Sequence, residues 1–481
     1  MNHQLRRISG VIALGLVAIL LNLAVTQVLV ADSYRLNQDN TRLLLEEYGR
    51  ERGPIVVAGQ SIAKSVDTGE TLQFERRYVA GELFAPATGF YSLVYGATGI
   101  ERLYTNILSG RDDRLAVDRL LQLLAGQTPR GGVVTLTLNP EIQRVAYEQL
   151  AGRTGAVVVI NATTGAILGL VSSPSYDPGL LSANNPTGVR KEYEKLLNDP
   201  TQPMLNRPLT NSLPPGSTFK LVVAAAALAS GQYTADSVLP GPATIALPLS
   251  DKRIGNWQNG PCSPSGKVTL RRALEVSCNT AFAWLGMKLG AEALEAQARA
   301  FGFNESFSIP LVAAASVFPS GIDEAQTAMS SIGQFDVRAT ALQMAMVVGA
   351  IANNGVVMQP YLVKNVMTTE LDIIESTEPS QWSSAMSAED ASSLIDMMQS
   401  VVTNGTASSV RIEGLTVGAK TGTAESGTDK PAHAWFVATA ADEKQTLAIA
   451  VVVDNGGGAA EVSGNAIAGP IAAAILKAAL L

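Results

Sequence analysis

Leu213-Pro214-Pro215-Gly216-Ser217-Thr218-Phe219-Lys220 sets a serine three residues ahead of a lysine, directly behind a Pro-Pro-Gly stop. The apolar run from Phe219 to Ser230 that follows has helical length and spacing. A sharp stop before a helix puts Ser217 at the helix N-terminus, where free N–H groups favour a developing negative charge. Positions i and i+3 share a helix face, so the Lys220 amine is expected to reach the Ser217 hydroxyl. A lysine whose pKa is lowered by burial and neighbouring cations can take the serine proton. A serine nucleophile in this chain needs such a base. There are only two histidines, His3 and His433, which leaves no usable Ser-His-Asp triad or His-based metal centre.

Two stretches farther along complete a pattern. Ser277-Cys278-Asn279 lies inside Leu270 to Leu289, which is expected to be helical. Lys420-Thr421-Gly422-Thr423 ends an expected strand that starts at Leu415. Taken singly, each is weak. Ser61-Ile62-Ala63-Lys64 repeats the first pattern and reads as a surface coincidence, and Ser-x-Asn recurs at Ser182 and Ser463. Lys-Thr-Gly occurs once. Gly422 has no side chain, so a substrate strand could approach closely there. Lys420 supplies a fixed cation for an anionic substrate. The order serine-lysine, serine-asparagine, lysine-threonine-glycine, on helix, helix and strand, is a known signature of penicillin-recognising serine enzymes.

The flanking sequence supplies the fold. Ala156 to Ile160 reads as a strand, Thr163-Thr164-Gly165 as a turn, and Ala166 to Val171 as the returning strand. Leu415 to Thr423, Ala434 to Ala440 and Thr446 to Val453 are three more strands. A helix from Asn465 to Leu481, carrying Pro470, closes the chain. Between the two strand groups lie helical stretches such as Phe219 to Ser230, Leu270 to Leu289 and Ala341 to Asn353. The expected fold is mixed α+β, a central five-stranded antiparallel sheet with an inserted helical lobe and a cleft between them. Upstream, Arg52 to Leu124 alternates short strand-like runs with Gly and Pro, a small α+β module. Gln127 to Gly132 reads as a linker, Val133 to Leu138 as a strand, and Asn139-Pro140 as the start of a helix to Leu150.

The 481 residues are 47% hydrophobic and 16% charged, with net charge -7. That charge fraction is low against a typical ~25%, and the Ala, Gly and Val content argues for order. No Lys/Arg block suggests nucleic-acid binding. Two cysteines cannot build a four-Cys zinc site, and no carboxylate pair stands out as a glycosidase would require. Ile8 to Ala31 is a 24-residue apolar run behind Arg6 and Arg7. It is long enough to cross a hydrocarbon core of ~30 Å. The positive-inside rule then keeps the N-terminus in the cytoplasm and puts the rest outside; a cleaved signal peptide is the alternative. The expected division is a cytoplasmic tail (1–7), a membrane anchor (8–31), a non-catalytic module of dimerisation or pedestal type (32–150) that begins with a polar stalk to about Arg50, and a catalytic domain (151–481). In an oxidising space Cys262 and Cys278 suit a disulfide, with two buried thiols as the other reading. His433 is expected as a packed residue at a strand start rather than a cleft wall. Trp257 and Trp284 are expected in the core.

Asn206-Arg207 followed by Pro215-Gly216-Ser217-Thr218-Phe219-Lys220 resembles the nucleophile region of class B penicillin-binding proteins. His433-Ala434-Trp435-Phe436 is similar to the strand after Lys-Thr-Gly-Thr in that family. The resemblance is strong over Gly155 to Leu481. Arg52-Gly53-Pro54-Ile55 and the segment Gly96 to Gly110, with Gly99-Ile100-Glu101 and Leu108-Ser109-Gly110, extend it weakly upstream. Val56-Val57-Ala58-Gly59 stands where many members carry Asp-Arg, and Cys278 stands where the usual motif has Asp. The shortened form looks most like the actinobacterial penicillin-binding protein A group.

The resemblance implies a transpeptidase fold and peptidoglycan stem peptides ending in D-Ala-D-Ala as substrate. It implies Ser217 as nucleophile, Lys220 as base, Ser277 as proton relay and Asn279 as holder of peptide backbone and Lys220. Lys420, Thr421 and Thr423 would bind the terminal carboxylate, with Gly422 beside them, and the N–H groups of Ser217 and Thr423 would form the oxyanion hole. β-Lactams would acylate the same serine. Cell-wall synthesis or division proteins are the implied partners, and no metal or organic cofactor is implied. A D,D-carboxypeptidase or β-lactamase shares these motifs, although a β-lactamase is usually small and free of a membrane. A β-lactam sensor needs more membrane spans or a cytoplasmic domain. A silent scaffold would not need the complete motif set.

Overall fold

The computed structural model describes residues 2–25, 48–150, 152–248, 250–425, 431–459 and 462–481. The expected stalk up to residue 47 and the end of the apolar run, 26–31, lie outside the described residues. Helix α1 (Asn2–Ala24) contains a 19-residue stretch, Arg6–Ala24, of mean hydropathy 2.0, none of it buried. By length and composition this stretch could cross a membrane.

The N-terminal unit is built on β1 (Ile55–Val57), β2 (Gln60–Asp67) and β3 (Phe74–Tyr78), joined antiparallel, with helix α2 (Ala116–Leu124) and β4 (Val133–Leu136), which runs parallel to β1. Its centre is ionic. Arg52 Nε meets Glu101 Oε2 at 2.7 Å, and Arg76 Nε meets Glu101 Oε1 at 2.7 Å, with all three residues buried. Tyr78 donates its hydroxyl to the same carboxylate at 3.2 Å. Burial alone would raise the Glu101 pKa, but the two guanidiniums outweigh it and hold the carboxyl below its usual value. The two faint upstream patches, around Arg52 and around Glu101, are therefore halves of one buried cluster.

The larger unit starts with α3 (Pro140–Leu150), β5 (Gly155–Asn161) and β6 (Ile167–Ser173). The helical excursion follows, with α4 (Lys220–Ala229), α5 (Leu270–Glu275), α6 (Asn279–Leu289) and α7 (Ala341–Ala352). A hairpin of β7 (Val363–Met367) and β8 (Ile373–Ser376) leads to α8 (Ala388–Asn404), then β9 (Val417–Ala424), β10 (His433–Ala441), β11 (Thr446–Val453) and α9 (Gly464–Leu480). Strands β9-β10-β11-β5-β6 form the expected five-stranded antiparallel sheet. β10 and β11 are almost continuously apolar and buried because both sheet faces are covered. Side chains alternate faces along a strand. On one face α7 comes so close at Gly349 that an added Cβ would sit 2.9 Å from Ile160. On the other, α9 packs at Gly469 against Phe436. Full burial of each Val, Ile or Leu here contributes roughly 1.5–3 kcal/mol.

The expected boundary at 150/151 falls after α3, which packs on β6 and α9. The N-terminal sheet, ordered β8-β7-β4-β1-β2-β3, takes two strands from far downstream.

Three local expectations need correction. The helix expected over Leu270–Leu289 is two helices, broken at Val276-Ser277-Cys278, where Ser277 is left-handed at φ 56°. A left-handed residue cannot continue a right-handed helix. Ser217 sits in a 3₁₀ turn, Gly216–Phe219, and the α-helix starts only at Lys220. Trp257 is not core but 82% exposed. Its neighbour Asn256 turns inward instead, donating to the Pro242 and Gly260 carbonyls and accepting from Thr280 N–H. Trp284 is half-buried, with the Lys288 ammonium 5.8 Å over its ring.

Candidate active site

Ser217 is partly exposed in its 3₁₀ turn, and the residues that follow plunge inward. Phe219 and Lys220 are fully buried, Phe219 against Phe303 and Phe318. The turn is pinned from two sides. Gly216, left-handed at φ 53°, donates its N–H to the Gly333 carbonyl at 3.0 Å. A Cβ on Gly333 would lie 2.1 Å from the Gly216 oxygen. On the other side stands β9, where a Cβ on Gly422 would meet Thr218 Cγ2 and Trp435 Cβ at 2.9 Å. The absent side chain at Gly422 thus makes room for the nucleophile turn.

Behind Ser217 lies a lysine cluster. Lys220 Nζ donates to the Ser277 carbonyl at 2.7 Å, to Asn279 Oδ1 at 2.7 Å and to Ser277 Oγ at 3.2 Å. Lys420 Nζ donates to Ser277 Oγ at 2.9 Å and to the Thr421 carbonyl at 2.9 Å. Among the described residues Lys220 makes no hydrogen bond to Ser217, and neither lysine has a carboxylate partner. Burial without a countercharge, and then the nearby Lys420, hold Lys220 well below the usual lysine range. Burial pushes Lys420 down to about 7.

The remaining expected residues are arranged around this core. Asn279 is the first residue of α6, and its amide donates to the Gly255 carbonyl at 3.0 Å. Strand alternation puts Lys420 and Gly422 on one face of β9 and Thr421 and Thr423 on the other. Thr423 is exposed. Lys420 is fully buried, with its amine on Ser277 Oγ. Cys278 is buried in a disulfide with Cys262, Cα–Cα 5.8 Å, which ties the Ser277–Asn279 segment to the loop at 262. His433 is buried at the start of β10 and accepts from Asn455 N–H at 3.2 Å. Ser61 and Lys64 lie on strand β2, away from this site.

Sequence reasoning missed two residues. Thr406 Oγ1 lies 2.9 Å from Thr421 Oγ1 and steadies it from the end of α8. Gly333 holds the nucleophile turn. Neither belongs to a spaced motif, although Asn404-Gly405-Thr406 does mark a helix end. Among the described residues no group of His, Cys, Asp or Glu is placed to hold a metal ion.

Two family models match, penicillin-binding protein transpeptidase domain over residues 155–477 and penicillin-binding protein A dimerisation domain over 52–134. The chain is 41% identical to peptidoglycan D,D-transpeptidase PbpA of Mycolicibacterium smegmatis, covering 100% of this chain and 99% of the relative. It is 42% identical to the protein of that name from Mycobacterium tuberculosis, with the same coverage. The fold superposes on M. tuberculosis penicillin-binding protein A in its ceftriaxone acyl-enzyme complex with TM-score 0.88 and 41% identity, over 91% of this chain and 100% of that one. It also matches the D,D-transpeptidase domain of a peptidoglycan glycosyltransferase from Eggerthella lenta, with TM-score 0.77, 33% identity, and 89% and 98% coverage. Motifs, sheet, cluster and full-length likeness agree, and the chain belongs to the class B penicillin-binding proteins, the serine peptidoglycan D,D-transpeptidases.

Proposed function

We propose that Ser217 is the acyl-forming nucleophile and that the Lys220–Ser277–Lys420 cluster runs its proton traffic. Peptidoglycan stem peptides ending in D-Ala-D-Ala are the donors. Ser217 Oγ adds to the penultimate D-Ala carbonyl and its proton passes to Lys220. The N–H groups of Ser217 and Thr423 hold the oxyanion, each such donor being typically worth about 3 kcal/mol. The C–N bond then breaks, and the leaving D-Ala amine takes a proton from Ser277 Oγ, which Lys220 resupplies. An amine of a neighbouring stem peptide attacks the acyl-serine, loses its proton along the same path, and releases Ser217 with a new cross-link. Thr421 and Thr423 hydroxyls receive the substrate carboxylate, with the Lys420 charge behind them. Asn279 holds Lys220 and the peptide backbone. The observation that carries this reading is that two buried, carboxylate-free lysines converge on one hydroxyl beside the nucleophile turn.

Helix α1 serves as a single-pass anchor, with the N-terminus in the cytoplasm and the catalytic unit outside. Residues 32–150 serve as a non-catalytic pedestal and 151–481 as the catalytic domain, working beside other cell-wall synthesis or division proteins. The test is intact-protein mass spectrometry after adding benzylpenicillin, with Ser217→Ala alongside. A lasting one-drug adduct that Ser217→Ala lacks is expected. An adduct that vanishes within seconds while drug is consumed would make the protein a β-lactamase. No adduct on the wild type would favour a silent scaffold.

A further inference from the structure

Helix α2 carries its apolar residues on the wrong side for a core. Val117, Leu120, Leu121 and Leu124, at helical spacing, are exposed, and so are Leu371 and Ile373 on the β7–β8 hairpin. All six are between 55% and 76% exposed. The two segments are locked together by one buried side chain. Gln122 donates to Asp118 Oδ2 at 2.9 Å and to Thr369 Oγ1 at 2.8 Å. Arg114 also pairs with Glu375 across the same seam. In the hairpin turn Leu371 is left-handed at φ 70°, a conformation costly for a branched apolar residue, and its side chain still points to solvent. Strain of that kind persists where it has a use.

The same Gln122 links the patch to the place where the chain arrives from α1. Its Oε1 accepts from Arg130 N–H at 2.9 Å, and the next residue, Gly131, donates to the Glu51 carbonyl at 3.1 Å. Arg130 also pairs with Glu51 at 3.1 Å. Tyr48, the first residue described beyond 25, lies just ahead of Glu51, and only 23 residues, 25–47, separate it from α1. The patch thus stands at the tethered end of the protein. It is carried on a short helix and a hairpin turn.

We propose that α2 and the 368–373 turn dip into the outer face of the lipid bilayer beside α1, as a second, interfacial contact that orients the pedestal. Amphipathic helices lie in this way with their apolar face among headgroups and upper acyl chains. The tether makes the contact intramolecular, so a surface too small to bind membranes alone suffices. The inference rests on the reading of α1 as a membrane anchor.

The test uses the full chain in nanodiscs whose lipids carry brominated acyl chains. The native cysteines are paired, so single cysteines can be labelled with bimane: Leu121→Cys, Leu371→Cys, Leu16→Cys within α1, and Lys444→Cys in the β10–β11 turn. Penicillin acylation checks that each variant is folded. Bromolipid is expected to quench the labels at 16, 121 and 371 by about twofold or more and to spare the label at 444, as residence among acyl chains requires. Quenching at 16 but not at 121 and 371 would overturn the inference and leave the anchor standing. No quenching at 16 would overturn both. Labels at 121 and 371 shielded from aqueous iodide yet untouched by bromolipid would mean that a protein surface, such as a second copy of the chain, covers the patch, which also overturns it.

Discussion

Lys220 and Lys420, which are 200 residues apart in the chain, point their amines at the same atom, Ser277 Oγ, from 3.2 and 2.9 Å. Burial holds both amines below the usual lysine range, and the nearby Lys420 charge lowers Lys220 further. Replacing Lys220 with Met keeps the length and removes the base. Acylation by benzylpenicillin is expected to slow by roughly 10²–10⁴-fold, the usual worth of a general base. Stopped-flow acylation kinetics on the folded variant would measure it, and a rate near wild type would remove Lys220 from the chemistry.

The same pair predicts a pH profile. A base must be unprotonated, so the rate falls on the acid side as Lys220 takes up a proton. A carboxylate-binding cation must be protonated, so the rate falls on the alkaline side as Lys420 loses its charge, from about 7 upward in the free enzyme. The second-order acylation rate should therefore be bell-shaped, because it reports free-enzyme ionisations. A flat profile from about pH 5 to about pH 9 would contradict the assignment.

Gly422→Ala should act on the nucleophile turn. Its added methyl would press on Thr218 and Trp435 at 2.9 Å and on the Pro215 carbonyl at 3.0 Å. Overpacking of this kind costs typically 1–3 kcal/mol, and the displaced turn should slow acylation by on the order of 10- to 100-fold, since a small misplacement of reacting groups is costly. Loss of stability with an unchanged acylation rate would show that the turn does not depend on β9.

The disulfide offers a second handle on the site. It closes a loop of 16 residues, so Cys262→Ser paired with Cys278→Ser should cost about 3 kcal/mol in the loop-entropy account. Because Cys278 stands between Ser277 and Asn279, acylation should also slow in the double variant and in wild type treated with a thiol reductant. Calorimetry and acylation rates measured side by side would separate the two effects.

Glu101→Gln tests the N-terminal cluster. It leaves Arg52 and Arg76 buried without their counterion, which should destabilise the protein by about 3–5 kcal/mol in urea unfolding. The wild-type carboxyl is depressed, so its contribution is present above the unfolded value near 4.5 and fades as pH falls through the lower folded value. The variant should lack that acid-side loss.

What the sequence disclosed follows the range of each physical cause. The five strands were readable because β5, β10 and β11 are buried on both faces and therefore almost wholly apolar. The three motifs were readable because their chemistry needs particular side chains. The break at Ser277 was not, since a left-handed serine has the composition of any other. Trp257 misled because an indole is usually sheltered, and here Asn256 took the inward position. The alliance of β4 with β7 had no local signal, since ladder hydrogen bonds between distant segments are made by backbone alone.

That alliance has a mechanical consequence. β4 is gripped by β1 on one edge and by β7 on the other, and β7 leads through its hairpin into α8 and the strand that carries Lys420. A force entering at Tyr48 therefore reaches the larger unit along two routes in parallel, the covalent passage at 137–139 and the β4–β7 ladder. A head joined by one strap would swing on it. This protein is braced like a bracket, so its two units should keep a fixed heading to one another when either is loaded.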